Sequence, residues 1–123
     1  MLRGRLDDGV ALMVGKTAHR TKADRARFDA LKEMGCIASR LRGLGYVAPD
    51  IHHILSGGKR MGHQYTLPLN PWHNRGDIPE QCAGAQEAEA IFGPSMYRAK
   101  RRFEAEFGTE LELLEMVNER LRV

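Results

Sequence analysis

The chain has little of what marks secreted or membrane proteins. Its 123 residues include only two cysteines, Cys36 and Cys82, far apart in the sequence, which excludes a dense disulfide scaffold. No apolar run reaches the roughly 18 residues of a membrane span, and no charged segment followed by an apolar one resembles a leader. We therefore expect a cytoplasmic protein with reduced thiols that does not enter a membrane.

The size and charge of the chain limit its architecture and its partners. With 123 residues, it is long enough for one small domain and too short for two. Its formal net charge of +3 allows a polyanionic partner but does not establish one. Evidence for such a partner has to come from specific residues.

Capping signals predict a helix near each end of the domain. Thr21 can cap a run of apolar residues at helical spacing that Gly35 ends, so we predict a helix over 22–34. Thr109 and Glu112 form a capping box before a final apolar stripe, which predicts a last helix.

The remaining segments complete a predicted α+β domain. Apolar residues at helical spacing, each set between a proline and a glycine, predict two more helices in 79–93 and 94–108. Residues 36–45 are interpreted as a turn and loop. The predicted units are a basic arm (1–20) and one domain (21–123), with a ββα core at about 46–78 and C-terminal helices in 79–123.

The centre of the chain predicts a long hairpin followed by a helix. Residues 46–55 have strand-like composition, interrupted by Pro49, and 64–69 alternate as a return strand. Between them, 56–62 is a glycine-rich segment interpreted as a flexible basic loop. Asn70 and Pro71 follow in the order preferred for starting a helix.

The adjacent histidines His52 and His53 are the first candidates for chemistry. Hydrolysis of a phosphodiester needs a base to deprotonate water and a cation to stabilise developing negative charge, and a neutral imidazole can act as the base or hold the metal. Neighbouring residues on a regular strand point to opposite faces, so both can serve one site only if the strand ends or bulges there. The structural alternative is a pair with one ring buried and the other exposed.

The order of these features resembles the ββα-metal finger of HNH endonucleases. By that resemblance, His53 is the general base, while His52 and Asn74 hold one divalent ion, Mg²⁺ or Mn²⁺ with Zn²⁺ as an alternative. Asn74 replaces the histidine most common in the family but keeps an oxygen donor. His63 takes the place of the middle asparagine, as a loop brace or a phosphate contact.

Three cations are assigned to phosphate binding. Lys59 and Arg60 lie in the glycine-rich segment, where a solvated loop is the alternative, and Arg75 follows the second metal ligand. Trp72 could stack on a base, but beside a helix start it is predicted to belong to the core.

A second resemblance covers nearly the whole chain. The matching segments are 31–38, 52–60, 62–63, 67–69, 71–73, 75–76, 93–95 and 100–114. They resemble the Ref-type, RecA-dependent recombination-enhancement nucleases of phages, which implies endonuclease action on DNA together with a recombinase filament.

The chain departs from this family at a structural zinc site. The resemblance implies two ligand pairs, which here read Cys36 with Ser39 and Asn70 with His73. Serine and asparagine are poor ligands for tetrahedral Zn²⁺, so we predict that the structural zinc is absent and that hydrogen bonds replace it. Recruitment of Cys82 as a third ligand is the alternative.

Two other function classes remain open at this stage. One is a catalytically degenerate HNH-fold module that binds nucleic acid without cleaving it. The other is a protein-interaction adaptor whose acidic C-terminal helices dock a partner.

Overall fold

The computed structural model describes residues 19–122, in which a two-part hairpin lies between helices. The fold is mixed α+β, as predicted from the sequence. The elements are α1 (Lys22–Met34), α2 (Ile37–Leu41), β1 (Asp50–His53), β2 (Leu55–Ser56), β3 (Lys59–Arg60), β4 (Thr66–Leu69), α3 (Pro71–Arg75), α4 (Ala85–Phe92), α5 (Lys100–Phe107) and α6 (Glu110–Leu121). Of the predicted arm, only His19 and Arg20 are among the described residues.

The capping signals read from the sequence act as expected. Thr21 Oγ1 accepts a hydrogen bond from Asp24 N, and the Asp24 carboxylate accepts one from Thr21 N. Thr109 and Glu112 make the same reciprocal pair at the start of α6. The predicted helix over 22–34 is confirmed as α1.

The hairpin is built from two antiparallel strand pairs. β1 pairs with β4, placing Ile51 opposite Pro68 and His52 opposite Leu67, and β2 pairs with β3 at the tip. Ile54 N donates to Tyr65 O at 3.0 Å and links the two pairs. The hairpin therefore continues past the end of β1.

The prediction that Lys59 and Arg60 lie in a flexible loop is wrong. Both residues form β3, opposite Leu55 and Ser56. The turn between the strands needs only Gly57 and Gly58, with φ of 61° and 80°, and two positive φ values are what a tight two-residue hairpin turn requires. The two cations thus project from a strand.

Other predicted boundaries also shift. The segment after Gly35, interpreted as a turn and loop, contains the short helix α2. Residues 46–47 form no strand; Val47 O instead accepts a hydrogen bond from Cys36 N at 2.9 Å. The helices predicted from 79 and 94 begin at Ala85 and Lys100, because an extended Gly84 and a non-helical Ala99 precede them.

Two apolar clusters hold the elements together. The larger one joins α1, α2, β4, α5 and α6, and includes Leu31, Ile37, Leu67, Phe103 and Leu113, all fully buried. The smaller one contains Trp72, Ala88 and Phe92. Trp72, predicted to be a core residue, is buried and donates from Nε1 to Gly93 O at 2.9 Å. Burying β4 on these helices leaves β1 half-buried, with its histidines at the edge of the core.

A buried arginine connects the helices to the hairpin. Arg27 donates from Nε to Thr66 Oγ1 at 2.8 Å and from Nη2 to Thr66 O at 2.7 Å. Its Nη1 donates to Asn118 Oδ1 at 2.8 Å. One guanidinium thereby joins α1, β4 and α6. Among the described residues, no helix is long and apolar enough to cross a membrane.

Candidate active site

His52, on β1, lies between side chains from two helices. Its Nδ1 is 2.9 Å from Asn74 Oδ1 on α3, and its Nε2 is 2.6 Å from Glu110 Oε2 on α6. The ring is largely shielded, with 16% of its side chain exposed. The two residues that the sequence predicted as metal ligands therefore face each other directly.

Glu110 was not predicted as a site residue. It is the first residue of α6, directly after the capping residue Thr109, and was predicted only as part of an acidic helix. The hydrogen bond from His52 holds the pKa of the Glu110 carboxyl below its usual range. Lys100 Nζ lies 3.7 Å from the other carboxylate oxygen. No local sequence signal links Glu110 to His52, because the contact depends on how α6 packs against the hairpin.

Asp50 connects Asn74 to Arg75. Asn74 Nδ2 donates to Asp50 Oδ2 at 3.5 Å, which orients the amide so that Oδ1 faces His52. Arg75 Nη2 lies 3.4 Å from the same carboxylate oxygen and 3.0 Å from Asp77 Oδ2. Arg75, predicted to bind phosphate, is therefore at the site but engaged with two acids, and more than half of its side chain is exposed.

His53 turns to a different set of partners. Its Nε2 lies 3.1 Å from Nδ1 of the buried His63, and both rings pack edge-on against Phe28. Burial, with a smaller contribution from the positive charge of Arg60, lowers the pKa of His53 to about 4. The imidazole is therefore unprotonated at pH 7, and the same low pKa makes it a weaker base than an ordinary histidine.

His63 was predicted to brace the loop or contact phosphate; in the structure its side chain contacts His53. His63 O accepts a hydrogen bond from Thr66 Oγ1 at 2.9 Å, so the backbone of this residue also braces the chain before β4. Lys59 and Arg60 are exposed at the hairpin tip. Arg60 is near enough for its charge to act on His53.

The four positions of the predicted degenerate zinc site are buried together and hydrogen-bonded. Ser39 N donates to Cys36 Sγ at 3.4 Å, and Asn70 Nδ2 donates to Ser39 Oγ at 3.4 Å. His73 N donates to Asn70 Oδ1 at 2.8 Å, and His73 Nδ1 lies 3.0 Å from Pro94 O. His73 Nε2 is buried without a hydrogen-bond partner in the described part of the chain.

A comparison with protein families identifies the group to which this arrangement belongs. The family described as recombination enhancement, RecA-dependent nuclease, matches residues 20–122. The chain belongs to this family. Comparisons with curated proteins and with solved structures return no match. Membership in the RecA-dependent nuclease family indicates a nuclease role in recombination.

The 2.9 Å between His52 Nδ1 and Asn74 Oδ1 is a hydrogen-bond distance that one divalent ion could also bridge. Two ligand atoms at right angles on an octahedral ion, each about 2.1 Å from it, lie about 3 Å apart, and the His52 and Asn74 donors are 2.9 Å apart. Within residues 19–122, no three His, Cys, Asp or Glu side chains form a metal-binding group. Two protein donors would leave the remaining coordination positions of such an ion to water or to substrate oxygens.

The alternative zinc ligand, Cys82, lies in a different part of the core from Cys36. Cys82 packs against the smaller apolar cluster, whereas Cys36 belongs to the larger one. The described residues contain no three-ligand group that would unite Cys36, His73 and Cys82. We expected hydrogen bonds in place of a structural zinc ion. Ser39 and Asn70 form such bonds with each other and with Cys36 and His73.

Proposed function

We propose that this protein is a metal-dependent DNA endonuclease of HNH type that hydrolyses phosphodiester bonds with His53 as general base. The observation that carries the proposal is the convergence of His52 Nδ1 and Asn74 Oδ1, from β1 and α3, at 2.9 Å. A ββα frame with two such donors and a neutral histidine on the same strand contains the groups that hydrolysis of a phosphodiester needs.

The proposed roles follow from the contacts of each side chain. His52 and Asn74 would hold Mg²⁺ or Mn²⁺, which when bound supplies positive charge to the phosphate and to the leaving oxygen. His53 accepts the proton of the attacking water. If Nε2–H of His53 donates to His63 Nδ1, the lone pair of His53 lies on Nδ1, so His63 sets which nitrogen acts as the base.

Substrate binding is assigned to the cations around these groups. Lys59 and Arg60 extend from the hairpin tip and are exposed to a polyanion. Arg75 would exchange its contacts with Asp50 and Asp77 for a phosphate, which offers a guanidinium two hydrogen bonds. The proposed substrate is DNA and the proposed partner a RecA-type recombinase filament, as the family description suggests.

Nicking of supercoiled plasmid tests the function. Wild type should nick DNA in Mg²⁺ or Mn²⁺, with and without a recombinase filament compared, and His53→Ala should lose nicking while keeping its unfolding temperature. His19→Ala is the matched control, because His19 is exposed at the start of the described chain. Equal nicking by wild type and His53→Ala would reject the assignment. Salt-dependent DNA binding without cleavage would instead indicate a degenerate binding module.

A further inference from the structure

Both ring nitrogens of His52 have an oxygen neighbour, and these oxygens come from different helices. Asn74 Oδ1 faces Nδ1 and Glu110 Oε2 faces Nε2. A neutral imidazole carries one hydrogen, and a carboxylate can only accept it. In a neutral His52, the 2.6 Å contact with Glu110 places the hydrogen on Nε2 and leaves the lone pair on Nδ1, toward Asn74.

The position of Glu110 is itself fixed by its surroundings. The capping box of Thr109 and Glu112 sets the first turn of α6, where Glu110 lies. Lys100, the first residue of α5, contacts the carboxylate oxygen that His52 does not use. The corner between α5 and α6 thus presents the Glu110 carboxylate to the hairpin.

The contact also differs from the surface ion pairs of this chain. The side chains of His52 and Glu110 are 16% and 19% exposed, whereas in the pair of Arg102 with Glu89 they are 62% and 35% exposed. Exposed pairs contribute little, since water screens them. A shielded carboxylate on the far nitrogen of a metal-ligating histidine orients the ring and raises the basicity of the ligand.

We infer that Glu110 is a positioning residue of the catalytic centre, which holds Nε2–H of His52 and so presents the Nδ1 lone pair to a divalent ion shared with Asn74. This inference rests on the proposed function, because it requires His52 to be a metal ligand. It adds α6 to an active site that the ββα segment alone does not complete.

Two variants separate hydrogen bonding from charge. Glu110→Ala removes the acceptor, whereas Glu110→Gln keeps an oxygen that can accept from Nε2. Glu115→Gln is the matched control, since Glu115 is an exposed acid on the same helix. The readouts are the Mn²⁺ dissociation constant, the His52 tautomer from long-range ¹H–¹⁵N NMR, and thermal unfolding.

The Ala variant should bind Mn²⁺ about 10 to 100-fold more weakly and should show a mixed His52 tautomer. The Gln variant should keep the Nε2–H tautomer with a smaller loss, and Glu115→Gln should match wild type. Unchanged Mn²⁺ affinity and tautomer in the Ala variant would overturn the inference. Equal losses in the Ala and Gln variants, with the tautomer unchanged in both, would also overturn it, because the charge rather than the hydrogen bond would then matter.

The inference and the proposed function can fail separately. If wild type binds Mn²⁺ but does not nick DNA, the endonuclease assignment fails. The Mn²⁺ affinities and the His52 tautomer still test the positioning role of Glu110. If wild type nicks DNA and Glu110→Ala retains wild-type Mn²⁺ affinity and the Nε2–H tautomer, only the role of Glu110 is rejected.

Discussion

Asn70 Nδ2 donates a hydrogen bond to Ser39 Oγ, joining the start of α3 to α2 across the base of the hairpin. The resemblance to RecA-dependent nucleases implies that relatives have zinc ligands in these two segments. Here the amide of Asn70 also accepts from His73 N, so one side chain both caps α3 and ties it to α2. Hydrogen bonds between neutral groups thus occupy the positions of metal ligands.

Purified protein should therefore contain no stoichiometric structural zinc. Ser39 and Asn70 are poor donors for a tetrahedral Zn²⁺ site, and both already have hydrogen-bond partners. Elemental analysis after dialysis measures this directly. One zinc per chain in wild type, lost on Cys36→Ser, would contradict the prediction.

Restoring thiolates at the two altered positions should install the metal. Ser39→Cys with Asn70→Cys would complete a set with Cys36 and His73, whose buried Nε2 has no partner among the described residues. We expect one bound Zn²⁺ and a higher unfolding temperature, because binding to the folded state adds to folding free energy. The single variant Asn70→Cys serves as the control and should bind zinc more weakly. A double variant that binds no zinc would show that the four positions do not converge.

Arg27 should be one of the most sensitive positions for stability. Its guanidinium satisfies two oxygens of Thr66 and one of Asn118 in a largely buried setting. Arg27→Met keeps much of the side-chain volume but leaves buried Thr66 O without its donor, at a cost of about 1 to 3 kcal/mol. The free energy of unfolding by urea measures the loss, and Arg25→Met, at an exposed position of α1, should change it by less than about 0.5 kcal/mol. Equal effects of the two substitutions would show that the Arg27 network contributes nothing.

The difference between Arg27 and the capping residues shows what the sequence can predict. The reciprocal caps at Thr21 and Thr109 depend on residues three positions apart, so the sequence alone identifies them. By contrast, Arg27 and Thr66 are 39 residues apart in the sequence, and His52 and Glu110 are 58 residues apart. Such contacts arise only when helices pack on the hairpin, and neither leaves a local pattern.

The candidate site also contains residues that the sequence predicted and contacts that it could not predict. The roles of His52, His53 and Asn74 were predicted from the resemblance to the ββα-metal finger of HNH endonucleases. The engagement of Arg75 with Asp50 and Asp77, and of His63 with His53, depends on side-chain directions that the pattern does not specify. The strand formed by Lys59 and Arg60 was missed because glycines favour both a loose loop and a tight turn.

His63 should be required for turnover more than for DNA binding. Its Nδ1 contacts His53 Nε2 at 3.1 Å, so His63→Ala would let the His53 ring rotate and change its tautomer. We expect kcat for plasmid nicking to fall about 10 to 100-fold, which is less than the roughly 100 to 10,000-fold of a complete general-base contribution because His53 itself remains, with little change in KM. His63→Asn, which retains a polar side chain, should recover part of the rate. A rise in KM with kcat unchanged would instead assign His63 to phosphate binding.

Stability should fall as the pH is lowered from 6.5 toward 4, because the pKa values of both His73 and His53 are lowered to about 4; His73, the more deeply buried of the two, is the better residue for a test. Burial lowers the pKa of His73 to about 4, whereas the unfolded value is 6.5. Between these values the unfolded state binds the proton and the folded state does not, so the stability present above pH 6.5 is progressively lost until about pH 4, by up to about 3 kcal/mol. Urea unfolding at pH 7.5 and at pH 5 measures the slope. His73→Gln, which cannot titrate, should be less stable at pH 7.5 but show a shallower slope, and an unchanged slope would show that other groups cause the pH dependence.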